Sequence, residues 1–330
     1  MKRQQLLHDW LKSLYPDQPF TLAPASADAS FRRYFRATFN DHTLVAMDAP
    51  TEHENCHPFI TVAQLFAKAG VHVPTIIAKN LEQGFLLLSD LGNTTYLQAL
   101  NSDNPKALYG DACNALVKIQ LASQENVLPL YDETLLMREM RLFPEWYIGQ
   151  HLKLTLTDKQ TTTLENIFQR IVQNNLAQPR VYVHRDYHSR NLMVSSPNPG
   201  ILDFQDAVYG PITYDVASLF KDAYISWREA DVLDWIIRYW ESARKAGLPV
   251  HEDFGAFYRD YEWMGVQRHL KVLGIFARLY HRDGKDGYLK DLPVVMSYLR
   301  RACERYNDLK PLLHLLDELE PNKPEVGYTF

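Results

Sequence analysis

Residues 184 to 191 read HRDYHSRN, so His, Arg, Asp, Ser and Asn crowd into one octet between the apolar runs VYV and LMV. A plain surface strand has no use for so much polar chemistry. Asp186 is followed five residues later by Asn191. A carboxylate can orient a hydroxyl acceptor and take its proton, while an amide oxygen helps to hold a Mg²⁺ on phosphates, and phosphoryl transfer needs both. Twelve residues after Asn191 comes Asp203, at the end of the apolar run GIL and across the turn-forming SSPNPG. A hard dication that completes its shell with phosphate oxygens requires few protein ligands. Asp186 is therefore the expected base, and Asn191 and Asp203 the expected Mg²⁺ ligands.

Such residues need a frame. The runs VYV, LMV and GIL lean to β structure, which makes 181–204 a short island of strands and loops. From about residue 103 the chain on either side of it is helical, as in KALYGDACNALVKIQLA and TDKQTTTLENIFQRIVQNN. The first ninety residues differ: FRRYFRATF, TLVAMDA and GFLLLSDL read as strands, interrupted by one helix from Pro58 to a stop at Gly70. At the N-terminus, Leu6, Leu7, Trp10, Leu11 and Leu14 fall at helical spacing and predict an amphipathic helix. The order predicts an α+β chain with a small β-rich lobe over 1–91, ending in a hinge, and a larger, mostly helical lobe over 92–330.

Composition narrows the partners. A chain of 330 residues with 46% hydrophobic content can bury a sizeable core. Its 35 basic and 40 acidic residues give a net charge of −5, which excludes a general basic surface for nucleic acid. No stretch has the apolar length of a membrane span. Cys56, Cys113 and Cys303 lack CxxC spacing, which argues against a disulfide framework or a zinc site and fits a reducing cytoplasm.

After Asp203 the text DFQDAVYGPITYDVASLF reaches a helix start too soon to leave room for the activation segment of a protein kinase. HRDYHSRNLM and LDFQDAVYGPITYDVASL together resemble the aminoglycoside phosphotransferase-like family of small-molecule kinases. Within that family they are similar to the anomeric N-acetylmuramate and N-acetylglucosamine kinases of cell-wall sugar recycling. The likeness extends to ASFRRYFR, VAMDAP, GFLLLSDLG and REMRLFPEWY, and spans most of residues 25 to 225. It implies a two-lobed protein-kinase-like fold, ATP and Mg²⁺ as cofactors, an amino sugar as acceptor, and no nucleic-acid, membrane or obligate protein partner. It assigns Asp186, Asn191 and Asp203 the roles they have on chemistry alone, and sets the backbone of Ser89, Asp90 and Leu91 against the adenine edge. The alternatives are another aminoglycoside-type phosphotransferase and a nucleotide-binding pseudokinase, the latter opposed by the complete Asp, Asn, Asp set.

The sequence departs from the kinase pattern in two places. It has no Gly-rich loop over the phosphates, and LVAMDAP carries Met47 and Asp48 where a strand lysine is expected. Ser30, Arg32 and Arg33 are the nearest replacements, because a guanidinium can grip phosphate in two places. Adjacent arginines on a strand face opposite ways, so at most one of the two turns to the nucleotide. His188 and Arg190 in the catalytic loop could meet the γ-phosphate, the acceptor or a nearby carboxylate. Asp206, Tyr209, Glu139 and Trp146 are candidates for the acceptor sugar, since aromatic faces suit sugar rings and a carboxylate suits paired hydroxyls. Asp215 reads as a helix cap or a brace for the catalytic loop. Farther on, Gln267, Lys271, Gly274 and Arg278 form a polar stripe opposite Val266, Leu270, Leu273 and Leu279. That stripe is either a solvated face or a lining suited to an anionic sugar.

Overall fold

The alternating runs FRRYFRATF and TLVAMDA become neighbouring strands of one sheet in the computed structural model, which describes residues 2–26 and 31–320. Chain order is α1 (Lys2–Leu14), β1 (Thr21–Ser26), β2 (Arg33–Thr38), β3 (Thr43–Asp48), α2 (Cys56–Lys68), β4 (Ile76–Asn80), β5 (Phe85–Ser89), α3 (Tyr96–Ala99) and α4 (Pro105–Leu121). It continues with α5 (Glu133–Met140), a π-helical stretch Phe143–His151, α6 (Asp158–Leu176), β6 (Arg180–Val183), β7 (Leu192–Met193), β8 (Gly200–Ile201) and β9 (Val208–Pro211). The rest is helical: α7 (Tyr214–Phe220), α8 (Glu229–Lys245), α9 (Phe254–His281), α10 (Leu292–Arg305) and α11 (Lys310–Leu319). Among the described residues no helix is long and apolar enough to cross a membrane. The three cysteines are buried and unbridged.

Two compact units divide the chain, one of Met1–Ala122 with Arg190–Ala207, the other of Ser123–Ser189 with Val208–Phe330. The first runs past Leu91, where the sequence suggested a hinge, and takes in the hairpin of β7 and β8. Its antiparallel sheet has the order β1-β2-β3-β5-β4. Alternation gives the sheet two unlike faces. Phe35, Ala37, Leu44, Ala46, Phe85 and Leu87 share one face with Leu7 and Leu11 of α1. Tyr34, Arg36, Val45, Met47, Leu86 and Leu88 are in register on the other.

The two strands that the sequence reading missed, β1 and β4, are the edges of this sheet. Edge strands carry polar residues and breaks that blur alternation. β1 contains Pro24 and a register shift, and β4 reads IIAKN with a shift of its own. Helix α2 starts at Cys56, two residues before the expected Pro58, because the Asn55 side chain accepts the His57 amide hydrogen bond at 2.9 Å and caps it there. It stops as expected where Gly70 turns to φ 77°. The β7–β8 hairpin is bonded into the same unit through Ile201 N–H to the His72 carbonyl and Val194 N–H to the Thr94 carbonyl, both 2.8 Å.

The second unit is organised by α9, which lies against α5, α6, α7, α10 and the π-helical stretch. Every residue from Tyr261 to Gly274 is buried. Of the predicted polar stripe, Gln267, Lys271 and Gly274 are thus inside and Arg278 is half-buried, while the apolar stripe is buried throughout. Gly274 belongs to this packing, since a Cβ there would come within 2.4 Å of the Leu142 carbonyl carbon. Gly274→Ala should therefore lower stability by about 1–3 kcal/mol through overpacking, even though helix propensity alone would favour alanine by about 1 kcal/mol. A shift of the urea midpoint to higher concentration in that variant would refute this account of the contact.

Candidate active site

The base candidate stands in the second unit, on the loop that follows β6. β6 pairs antiparallel with β9, and the chain leaves it at His184. There the buried carboxylate of Asp215, in the first turn of α7, accepts the backbone N–H of His184 at 2.6 Å and of Arg185 at 3.0 Å. This is the brace expected of Asp215. Burial pushes its pKa up to about 7 against the pull of those two amides. His184 is itself buried, and its Nδ1 accepts the Asp186 amide at 3.2 Å while its ring meets Tyr187 edge-on at 5.5 Å. Arg185 is held at φ 78°, a conformation that a non-glycine residue keeps only where its surroundings over-determine it.

Those surroundings are charged. Glu139 of α5 is 4% exposed and takes Arg185, Lys271 at 3.0 Å, the Tyr131 hydroxyl and the Gln267 amide at 3.1 Å. Glu139 was expected at the acceptor; its oxygens accept from Arg185, Lys271, Tyr131 and Gln267, and it holds Arg185 beside Asp186. Burial alone would raise its pKa, yet Lys271 and Arg185 bring it down to about 2. Lys271 also donates to the Tyr214 hydroxyl at 3.1 Å, and Arg268 donates to the Arg185 carbonyl at 2.7 Å.

Asp186 keeps 37% of its side chain exposed, with Arg268 at 3.7 Å. Burial would raise its pKa, but Lys271 and Arg268 outweigh it and hold the carboxyl well below the usual carboxylate range. It stays ionised at neutral pH and can accept a hydrogen bond from a hydroxyl. His188 is buried later in the same loop, Tyr209 is half-buried in β9, and Trp146 is half-buried in the π-helical stretch.

The metal candidates lie in the first unit. Asn191 Nδ2 is 3.3 Å from Asp203 Oδ2, the Leu202 amide bonds the Asn191 carbonyl at 2.9 Å, and Gln205 Nε2 donates to Asp203 Oδ1 at 2.8 Å. The hairpin brings the pair together across twelve residues. Asp203 has φ 60°, and Phe204 beside it packs on Phe59 and Phe66 of α2 at 4.8 and 5.9 Å. Oxygen donors of this kind suit Mg²⁺. Among the described residues no three His, Cys, Asp or Glu could hold a metal by themselves, so a dication here would complete its shell with phosphate oxygens. Arg190 is half-buried and Asp206 exposed in the same segment.

The strand arginines divide between the two faces of the sheet. Arg33, opposite Asp48, turns to the α1 face, where the buried Asp48 carboxylate takes both Arg33 and Arg3, the latter at 2.6 Å. Asp48 thus stands where a lysine was expected because it anchors α1 to the sheet. Met47, its neighbour on the opposite face, is fully buried. Arg32 pairs with Glu54 just before α2 at 2.8 Å, both side chains shielded. Ser30 lies outside the described residues. The Asp90 carboxylate is bound by Arg36 and by the Gly92 amide at 3.0 Å, so its side chain has a structural part. Ser89 exchanges hydrogen bonds with Thr75, and Leu91 is buried. Sequence reasoning passed over Tyr131, Tyr214 and Arg268 around the base, since nothing in their spacing marks them.

A hairpin carrying Asn191 and Asp203, and a braced loop carrying Asp186, supply residue types that phosphoryl transfer requires. Residues 21–254 match the model of the phosphotransferase enzyme family, and the chain belongs to that family. It is 51% identical to a protein of Pseudomonas putida named N-acetylmuramate/N-acetylglucosamine kinase, over 97% of each chain. It is also 51% identical to one so named from Neisseria meningitidis, over 100% of each chain. Among solved structures it is similar to a choline kinase from Streptococcus pneumoniae (TM-score 0.66, 12% identity, covering 91% of this chain and 100% of that one). An ADP-bound aminoglycoside phosphotransferase is similar too (TM-score 0.56, 15% identity, 88% and 96% covered). These folds bear out the α+β, kinase-like expectation.

Glu139→Gln should cost about 3–5 kcal/mol in urea unfolding, because it leaves buried cations uncompensated. Its carboxyl titrates near 2 in the fold against an ordinary 4.5. The stabilisation is therefore complete above about pH 4.5 and is lost as pH falls toward 2. The gap between wild type and variant should close over that window, and a constant gap would contradict the pairing.

Proposed function

We propose that the chain transfers the γ-phosphoryl group of ATP to the anomeric hydroxyl of N-acetylmuramate and N-acetylglucosamine, in the cytoplasm, as a step of peptidoglycan recycling. What carries this reading is the 51% identity, over nearly the whole length of both chains, to relatives named N-acetylmuramate/N-acetylglucosamine kinase. No protein partner, nucleic acid or membrane enters the scheme.

In this scheme the Asp186 carboxylate, kept ionised by Lys271 and Arg268, accepts a hydrogen bond from the anomeric hydroxyl and then its proton. The sugar oxygen forms a bond to the γ-phosphorus as the bond to ADP breaks. Asn191 and Asp203 would hold Mg²⁺, which would supply charge neutralisation on the phosphate oxygens. Arg33 is engaged by Asp48, so Arg32, aimed by Glu54, takes over the phosphate grip of the absent lysine, with Ser30 beside it in sequence. Backbone groups of Ser89, Asp90 and Leu91 receive the adenine edge. His188, Arg190, Asp206, Tyr209 and Trp146 remain the acceptor and γ-phosphate candidates.

Asp186→Asn should reduce turnover by on the order of a hundredfold or more while leaving ATP binding nearly intact. Turnover close to wild type would remove the base from the scheme. Asp203→Ala should raise the Mg²⁺ requirement more than Asn191→Ala, because it deletes the anionic ligand. Activity that survives complete chelation would end the metal assignment. Phosphorus NMR should find the product phosphate on the anomeric carbon, with kanamycin-like polycations poor acceptors. A phosphomonoester at any other carbon, or efficient aminoglycoside turnover, would overturn the substrate reading.

A further inference from the structure

Asp222 lies two residues beyond α7 and is 2% exposed. Its carboxylate accepts two backbone amides, that of Ser189 in the base-bearing loop and that of Tyr224, each at 2.9 Å. One buried group therefore fixes both the end of that loop and the start of the irregular segment between α7 and α8. The rings follow from this. His188, two residues after the base, meets Tyr224 edge to face, with centroids 5.3 Å apart and planes at 71°. On another side Phe276 of α9 packs on Tyr224 at 5.9 Å and on Tyr288 at 5.1 Å.

His188 and Phe276 are buried, whereas Tyr224 is only half-buried. A tyrosine packed between buried rings that still reaches solvent can present part of its side chain to a ligand. A ring kept partly open and rigid is what a sugar needs. One face of a pyranose is a patch of C–H bonds that sits well on an aromatic ring, while its rim of hydroxyls requires polar groups at the ring's edge. Two residues of chain span at most about 7 Å. His188 is thus a near neighbour of Asp186 along the loop, and the Tyr224 ring lies 5.3 Å from the His188 ring, a separation that a sugar with its anomeric hydroxyl at Asp186 would bridge.

We infer that Tyr224, anchored through Asp222 and edged by His188, is the stacking platform for the pyranose ring of the acceptor. The inference rests on the reading of the chain as an amino-sugar kinase and adds a substrate-binding residue that neither the motif nor the spacing marks. Tyr224 touches the sugar. Asp222 is a positioning residue that acts through Tyr224 and the loop.

Tyr224→Leu should raise KM for N-acetylglucosamine and N-acetylmuramate about tenfold, as expected when roughly 50 Å² of apolar contact is lost. KM for ATP should stay at its wild-type value, while the thermal midpoint falls modestly because His188 and Phe276 lose a packing partner. Tyr224→Phe keeps the ring and should keep the sugar KM within about twofold. Fluorotyrosine labelling of the full chain gives an independent reading. The fluorine resonance that disappears in Tyr224→Phe should shift when N-acetylglucosamine is added to the labelled wild type, and this measurement decides the matter should Tyr224→Leu fail to fold. If the wild type phosphorylates amino sugars but Tyr224→Leu keeps its sugar KM, or the resonance does not move, the platform alone is overturned. If the wild type phosphorylates no amino sugar, the functional reading fails and the platform goes with it.

Discussion

A helix buried on every side cannot leave a charge unpaired. α9 is such a helix from Tyr261 to Gly274, yet it carries Glu262, Arg268 and Lys271 into the interior. An isolated buried charge is so costly that each must find a partner of opposite sign or a set of hydrogen bonds. Lys271 finds Glu139, Glu262 finds Lys221 at 2.6 Å, and Arg268 caps the Arg185 carbonyl. Because Glu139 also takes Arg185, the pairing demanded by α9 extends into the loop that bears Asp186. The conformation of the loop that carries Asp186 is thus a by-product of charge compensation in the core of its unit.

The same requirement accounts for one departure from the kinase pattern in the first unit, the carboxylate of Asp48 where a lysine was expected. Asp48 is completely buried on β3, and only the convergence of Arg3 and Arg33 makes it tolerable there. A lysine at that position would meet two arginines and repel both. With Asp48 fixed, Arg33 is drawn to the α1 face, while Arg32, just before β2, pairs with Glu54 at 2.8 Å. The identity of one buried carboxylate thus decides where Arg33 is held.

Two loop residues next to the chemistry, Arg185 and Asp203, have positive φ without being glycine. Each is held from several directions, Arg185 by Asp215, Glu139 and Arg268, and Asp203 by Asn191, Gln205 and the packing of Phe204. Backbone strain persists where neighbours over-determine it, and here they also aim the carboxylates.

The sequence by itself determined the chemistry and the order of the elements. Asp186, Asn191 and Asp203 are separated by short, fixed stretches of chain, and a hairpin with SSPNPG as its turn brings the last two to 3.3 Å with no long-range information. Interior strands and most helices were legible as well, because burial of one face imprints a period on the residues. The edge strands β1 and β4 were not, since an edge has less to bury. Nor could spacing tell that most of the polar stripe of α9 was internal, that Glu139 turns to Arg185 and Lys271, or that Asp222 ties Ser189 to Tyr224. Those pairings join residues tens of positions apart. Whether a charge meets solvent, substrate or a countercharge depends on which elements pack around it, and only the tertiary structure decides that.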